Sequence, residues 1–354
     1  MTFSRSASPS TDVPPTSRPG PAGPLRPALR VLAMVACLPY IALKVAWVAG
    51  SRIGIPDGSG LLDHRVTLIV ANGLSVLADA IVVLLALLLT RPWGLRVRPW
   101  PLGFPMWAAT GLLAPIMAGY PAQLVVAAFG DADGGGGSGP AAEPFLDAWV
   151  FPVVYGGFIV QGLSLGTLFA LYAHDRWSPV WAGRLGAAGS AGLAGLVGPR
   201  VRVAAVAGAV LAVGPAALHA AWAAGATVGL PARYLAEYHG DQAVVDLVRA
   251  LFLGVAAVAT LCLVTDRPAG RRMRTALAWA WVASGAAGCW GAYMTLVSVV
   301  ARVSSGPMDD AGKTPTTLMI TTYAGEMITG FLLAGCLAAV LAARSRRLAR
   351  GAAA

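Results

Sequence analysis

Eight apolar runs, each about the length of a bilayer crossing, divide this chain and leave little else to fold. They cover roughly residues 30–50, 67–90, 105–128, 149–172, 201–224, 243–264, 275–300 and 317–343. A helix needs about 20 predominantly apolar residues to cross the hydrocarbon core. The expectation is an all-α polytopic membrane protein with eight transmembrane helices. Composition points the same way. Only 12% of the residues are charged, about half the share in a typical soluble domain, which is too few to cover a soluble chain of this size.

Threaded alternately through a membrane, the runs sort the basic residues unevenly. One side collects 19 of the 26, from Arg5, Arg18, Arg26 and Arg30 to Arg344, Arg346, Arg347 and Arg350. The other holds Arg52, Arg65, Arg233, Arg302 and Lys313, with most of the acids, among them Asp131, Asp133, Glu143, Asp309 and Asp310. Cytoplasmic loops carry the Lys/Arg excess. Both termini are therefore expected in the cytoplasm of a plasma-membrane protein, with the 129–148 and 303–315 loops outside. The formal charge of +10 is topological and needs no nucleic acid partner, while the inner arginines suit anionic lipid.

Residues 1–29, rich in Ser, Pro and Arg, are expected to form a disordered cytoplasmic tail. They lack the cleavage site of a signal peptide, so the first run reads as a signal anchor. Cys37, Cys262, Cys289 and Cys336 all fall inside apolar runs without paired spacing. They read as inert thiols, with no disulfide and no metal or other cofactor implied.

Within the runs, one passage occurs twice. "LKVAWVAGSRIGIP" at 43–56 and "LHAAWAAGATVGLP" at 218–231 share Trp47 and Trp222, Gly50 and Gly225, Gly54 and Gly229, Pro56 and Pro231. Further matches follow in order: "TRPWGLR" with "DRPAGRR", "MWAATG" with "AWVASG", and "YGGFIVQG" with "YAGEMITG". Four ordered matches on four successive runs imply a duplicated four-helix unit. Each copy has an even number of crossings, so the duplication is parallel, about an axis along the membrane normal. The expected organisation is a first repeat at 30–173, a cytoplasmic linker at 174–200, a second repeat at 201–343 and a basic cytoplasmic tail at 344–354. The shared passage reads as packing: interfacial Trp with a hydrated indole N–H, small-xxx-small glycines for close helix approach, and Pro56 and Pro231 stopping the helix.

The second copy of this passage, through His219, Trp222, Ala223 and Gly225, resembles a family of small four-helix membrane proteins with a His-x-x-Trp-Ala-x-Gly segment. The whole chain resembles uncharacterised multi-pass membrane proteins of actinobacteria. In the first copy, Lys44 and Val48 stand at the His and Ala positions. The resemblance implies fold and location and carries no catalytic residues with it.

Ionisable groups inside a span are costly, at roughly 2.5–3.5 kcal/mol each on insertion scales, and mark function by default. Lys44, Asp79, His219, Arg249 and Glu326 are such groups, all placed in the outer half or near the centre. Polar neighbours share their faces: Asn72 and Ser75 with Asp79, Thr322 and Thr329 with Glu326 beside Tyr323, Trp47 and Ser51 with Lys44. These stripes are expected to face the bundle interior, with Lys44 paired to Asp79 and Arg249 to Glu326. The bland reading gives the cations to snorkelling and the carboxylates and His219 to helix packing. Glu326 has Phe158 as its counterpart, so the duplicated scaffold does not itself require a carboxylate there.

"GLSLG" at 162–166 fits a nucleophile-elbow pattern but lies inside an apolar run rather than at a strand-to-helix turn. "GDADGGGGSG" at 130–139 lacks the ligand spacing of a Ca²⁺ loop. With no nucleophile or metal set, an enzyme is the least favoured function. The leading expectation is a small molecule or ion handled through an outward-opening polar site between the repeats. Lys44, Asp79, His219, Arg249, Tyr323 and Glu326 are its candidate residues. The alternative is a structural or accessory protein that binds other membrane protein chains.

Overall fold

The structure, a computed structural model, describes residues 24–57, 65–129, 146–186, 193–232, 235, 240–304 and 314–352. The tail expected at 1–29 lies outside them up to residue 23. Most of the 129–148 and 303–315 loops, the run at 130–139 and residues 187–192 of the linker also lie outside them.

Among the described residues, eight helices are long and apolar enough to cross a membrane. They are α1 (Leu25–Val48), α2 (Arg65–Thr90), α3 (Pro99–Phe129), α4 (Val150–Trp181), α5 (Pro199–Ala223), α6 (Gly240–Thr265), α7 (Met273–Ser304) and α8 (Thr317–Gly351). Among the described residues there is no strand, only one isolated bridge between Arg184 and Arg272. The chain is an all-α integral membrane protein. α4 and α8, with 32 and 35 residues, outrun their apolar stretches and continue past 172 and 343. At 1.5 Å per residue they reach about 50 Å, against a hydrocarbon core of about 30 Å.

In chain order the helices form a first set, α1–α4, and a second, α5–α8, with α3 packed more heavily on the second set than on its own. α1 lies against α2 and α4, with α3 on α4; α5 lies against α6 and α8, with α7 on both. The sets meet where α3 packs against α6 and α7. There a Cβ on Gly111 would fall 2.3 Å from the carbonyl carbon of Gly285, so the two backbones touch. Trp107 Nε1 donates across the seam to Ser284 Oγ at 3.1 Å, and Trp290 Nε1 to the Leu112 carbonyl at 3.0 Å.

The repeated passage builds the same turn in both places. After α1 and α5 end, the chain reverses through Gly50 and Gly225, at φ 94° and 92°, where a residue with a Cβ would be strained. Gly50 N donates to Trp47 O at 3.0 Å, and Gly225 N to Trp222 O at 2.9 Å. Gly54 and Gly229 both have φ 74°. The Gly54 carbonyl accepts from Asp147 N, just ahead of α4, and the Gly229 carbonyl from Thr316 Oγ1, just ahead of α8.

This corrects the packing reading of the passage on three points. Trp47 and Trp222 are buried, and their indoles donate to Ile53 O at 2.7 Å and Val228 O at 2.9 Å rather than to water. The glycines adopt left-handed turn conformations after the helices have ended, and the close approach is made by Gly54 against Val150 of α4 and by Gly229 against Leu318 of α8. The helices have also stopped well before Pro56 and Pro231. The passage is a helix-ending turn latched by its own tryptophan.

Two large apolar clusters fill the opposite end of the bundle. One gathers Cys37, Leu85, Met106 and Leu168 of the first set. The other gathers Leu263, Met273, Leu337 and Val340 of the second. The polar residues lie between these clusters and the tryptophan turns.

Candidate functional site

α5, α6 and α8 converge on His219. Its side chain is wholly buried (0% exposed), and those of Glu326 (2%) and Asp246 (8%) are nearly so. Nδ1 faces Asp246 Oδ1 of α6 at 2.7 Å, and Nε2 faces Glu326 Oε1 of α8. Arg249, one turn beyond Asp246 on α6, places Nη2 3.8 Å from Glu326 Oε2. Its guanidinium lies over the Tyr323 ring, 4.9 Å from the centroid. The imidazole is held edge-on to Trp222 at 5.0 Å and stacked on Tyr323 at 6.1 Å. The same Trp222 that latches the turn therefore fixes the ring plane three residues earlier.

The local sequence explains the convergence. His219 and Trp222 lie i, i+3 on α5, and Asp246 and Arg249 lie i, i+3 on α6, so each pair shares a helix face. Glu326 can reach His219 because α7 and α8 are in backbone contact beside it. A Cβ on Gly291 would come within 2.4 Å of Met327 N and 2.8 Å of Glu326 Cβ.

Each contact between a ring nitrogen and a carboxylate oxygen needs one proton in the gap. With both protons on the ring, an imidazolium and a guanidinium balance two carboxylates. With one proton moved to a carboxylate, a neutral imidazole remains and the total charge is unchanged. The set is a chain along which a proton can shift between two helices. Taking these groups out of water costs several kcal/mol per ion, and a pair of this kind is a poor source of stability. A cavity of about 10 Å³ touches Arg249 and Glu326, closed by Pro115 of α3 and Ala286, Ala287 and Trp290 of α7. It has room for a single water at most. Arg249 Nη2 has no hydrogen-bond partner among the described residues.

The candidates in the first set do not join this chain. Asp79 is buried (4% exposed), with Oδ1 3.5 Å from Gln161 Nε2 and Oδ2 without a hydrogen-bond partner among the described residues. Gln161 also reaches Cys37 Sγ at 3.3 Å. The expected ion pair of Lys44 with Asp79 does not form. Lys44 Nζ instead lies over the rings of Tyr40 and Trp47, at 4.7 and 5.5 Å. Phe158, which the sequence match aligns with Glu326, packs edge-on against Tyr40 at 4.7 Å.

The expected pairing of Arg249 with Glu326 is present, and Tyr323 flanks it. The polar stripes face inward: Asn72, Asp79, Thr322, Glu326 and Thr329 are all buried. Sequence reasoning passed over Asp246. The signal was there, a carboxylate inside the sixth apolar run one turn before a charged Arg. Among the described residues, no three His, Cys, Asp or Glu side chains are placed to hold a metal. The reason is geometric, since Asp246 and Glu326 lie on opposite edges of the imidazole and cannot converge on one ion. No family model, curated protein or solved structure matches this chain.

Proposed function

We propose that this membrane protein handles a small molecule or ion, with the chain Asp246–His219–Glu326–Arg249 as its proton-binding element. The observation that carries the reading is His219, sealed from solvent with one carboxylate on each ring nitrogen. Runs of Asp, Glu and His inside a bundle mark proton relays in pumps and transporters, and four ionisable side chains are an expensive way to join helices. The small cavity lies on the seam between the helix sets. Separation of α3 from α6 and α7 would open Arg249 and Glu326 to a ligand. The basic excess at the opposite end supports a plasma-membrane orientation with that end cytoplasmic. The matching turns, and the contact of Gly111 with its repeat counterpart Gly285, support a parallel duplication, because a twofold axis brings equivalent residues together.

A structural or accessory role is the second reading, favoured by the dryness of the seam, whose cavity is only about 10 Å³. Accessibility separates the two. In a background with Cys37, Cys262, Cys289 and Cys336 replaced, Ala286→Cys and Ala287→Cys place a thiol on the cavity wall. Labelling by a membrane-impermeant maleimide is the result expected of a protein whose seam opens. Protection at both positions under all ligand and pH conditions supports the accessory role instead.

A further inference from the structure

At the end of the bundle opposite the tryptophan turns, two loops are laced together. After α4 ends at Trp181, residues 182–186 double back along the α6–α7 connection. Leu185 N donates to Arg271 O at 2.8 Å, Gly270 N to Leu185 O at 2.8 Å, and Met273 N to Gly183 O at 3.2 Å. Gly186 N donates to Asp266 Oδ1 at 2.9 Å, and Arg344 of α8 caps the Ala182 carbonyl at 2.8 Å. Leu185 and Met273 are buried beneath as apolar anchors. A segment expected to be a plain Gly- and Ala-rich linker is a built surface.

Beside this lacing lies a concavity of about 500 Å³, walled by Ser178 and Trp181 of α4 and edged by His174, Arg184, Arg272 and Arg274. That volume falls within the range of small-ligand sites. No carboxylate lines it. Asp175, on the neighbouring helix face, is engaged by Arg26, with His174 Nδ1 3.7 Å away, and Asp266 is occupied by Gly186 N. Arg184 is held in place by the Gly270 carbonyl at 2.8 Å. The guanidiniums of Arg272 and Arg274 have no hydrogen-bond or ion-pair partner among the described residues. Three cations thus edge one hollow, two with all their donors free.

We infer that this hollow binds a phosphate ester group. The planar guanidinium fork matches phosphate oxygens in a way an ammonium does not, and charge-assisted bonds of this kind are the strong ones. Trp181 supplies a flat apolar wall, and Ser178 a hydroxyl donor. The site stands where the apolar helices end, at the level of lipid headgroups, so the phosphate comes either from an anionic lipid or from a soluble ester. It is independent of the proton-binding chain.

The test uses the full-length protein in nanodiscs of phosphatidylcholine, titrated calorimetrically in two arms. One arm adds dihexanoyl phosphatidic acid; the other adds inorganic phosphate and glycerol phosphate. The variant Arg272→Gln/Arg274→Gln removes the two unpartnered guanidiniums and should leave the melting temperature unchanged. Arg346→Gln/Arg350→Gln removes the same charge from the same end, outside the hollow. Binding in either arm that weakens about tenfold or more in the first variant and is retained in the second supports the site. Binding in the lipid arm alone identifies a headgroup site, and binding in both a phosphate ester site open to soluble ligands. No binding in either arm, or equal losses in the two double variants, overturns the inference.

Discussion

Nε2 of His219 meets Oε1 of Glu326 across the α5–α8 contact, with both side chains shut off from solvent. Neither residue has another acidic or basic partner on its own helix. The pairing is tertiary, and it exists only because three helices close around it.

Breaking that pairing leaves a buried cation without its counter-charge. Glu326→Gln is expected to lower stability by about 3–5 kcal/mol. Adding Arg249→Met to it should recover part of the loss, giving a clear coupling energy in a double-mutant cycle. Thermal unfolding in nanodiscs of the four proteins measures it. Additive losses would mean that Arg249 and Glu326 do not act as a pair.

Asp79 should behave in the opposite way. Its Oδ2 is buried without a hydrogen-bond partner among the described residues, and the Lys44 ammonium is spent on aromatic rings. Asp79→Asn keeps an acceptor for Gln161 and removes a poorly compensated charge. The same unfolding assay should show unchanged or raised stability. A loss as large as that of Glu326→Gln would place Asp79 in a counter-charge role.

The contrast between these carboxylates marks how much of the molecule the sequence made legible. Spans and inward faces follow from hydropathy and helical period, which are local. Asn72, Asp79, Thr322 and Glu326 all face inward for that reason. Which charges meet depends on helix order and rotation, which no local pattern encodes. Lys44 and Asp79 stand on neighbouring helices with an obvious complementarity, yet Tyr40 and Trp47 hold Lys44 instead. Asp246 becomes important only when α5 brings His219 against α6. The latched turn was visible as a repeat of Trp, Gly and Pro, but its meaning lay in backbone angles that only the folded chain displays.

Close packing of α7 on α8 is what positions Glu326. Gly291→Ala sets a methyl against backbone that cannot yield, 2.4 Å from Met327 N, and should cost about 1–3 kcal/mol. A Cβ on Gly335, on the same α8, meets nothing within 4 Å, so Gly335→Ala should be neutral or stabilising by up to about 1 kcal/mol. Equal melting temperatures for the two variants would show that this contact is not tight.

The tryptophan latches should respond alike. Trp47→Phe and Trp222→Phe each delete one indole donor to a turn carbonyl, and each should cost about 1 kcal/mol. A much larger effect at Trp222 would show that its edge-on contact with His219 outweighs the latch. Hydrogen exchange at Gly50 and Gly225 reports the turns directly.

The central claim is that the sealed chain takes up and releases a proton. Nitrogen-15 NMR of histidine-labelled protein in bilayers observes it directly, with the His219 signals identified by their loss in His219→Gln. Across the pH range in which the protein stays folded, the account predicts that both ring nitrogens of His219 shift together, and that Glu326→Gln abolishes the joint shift. His219 resonances that stay fixed across that range in the wild type would contradict it, and would leave the chain as a permanently locked joint between three helices.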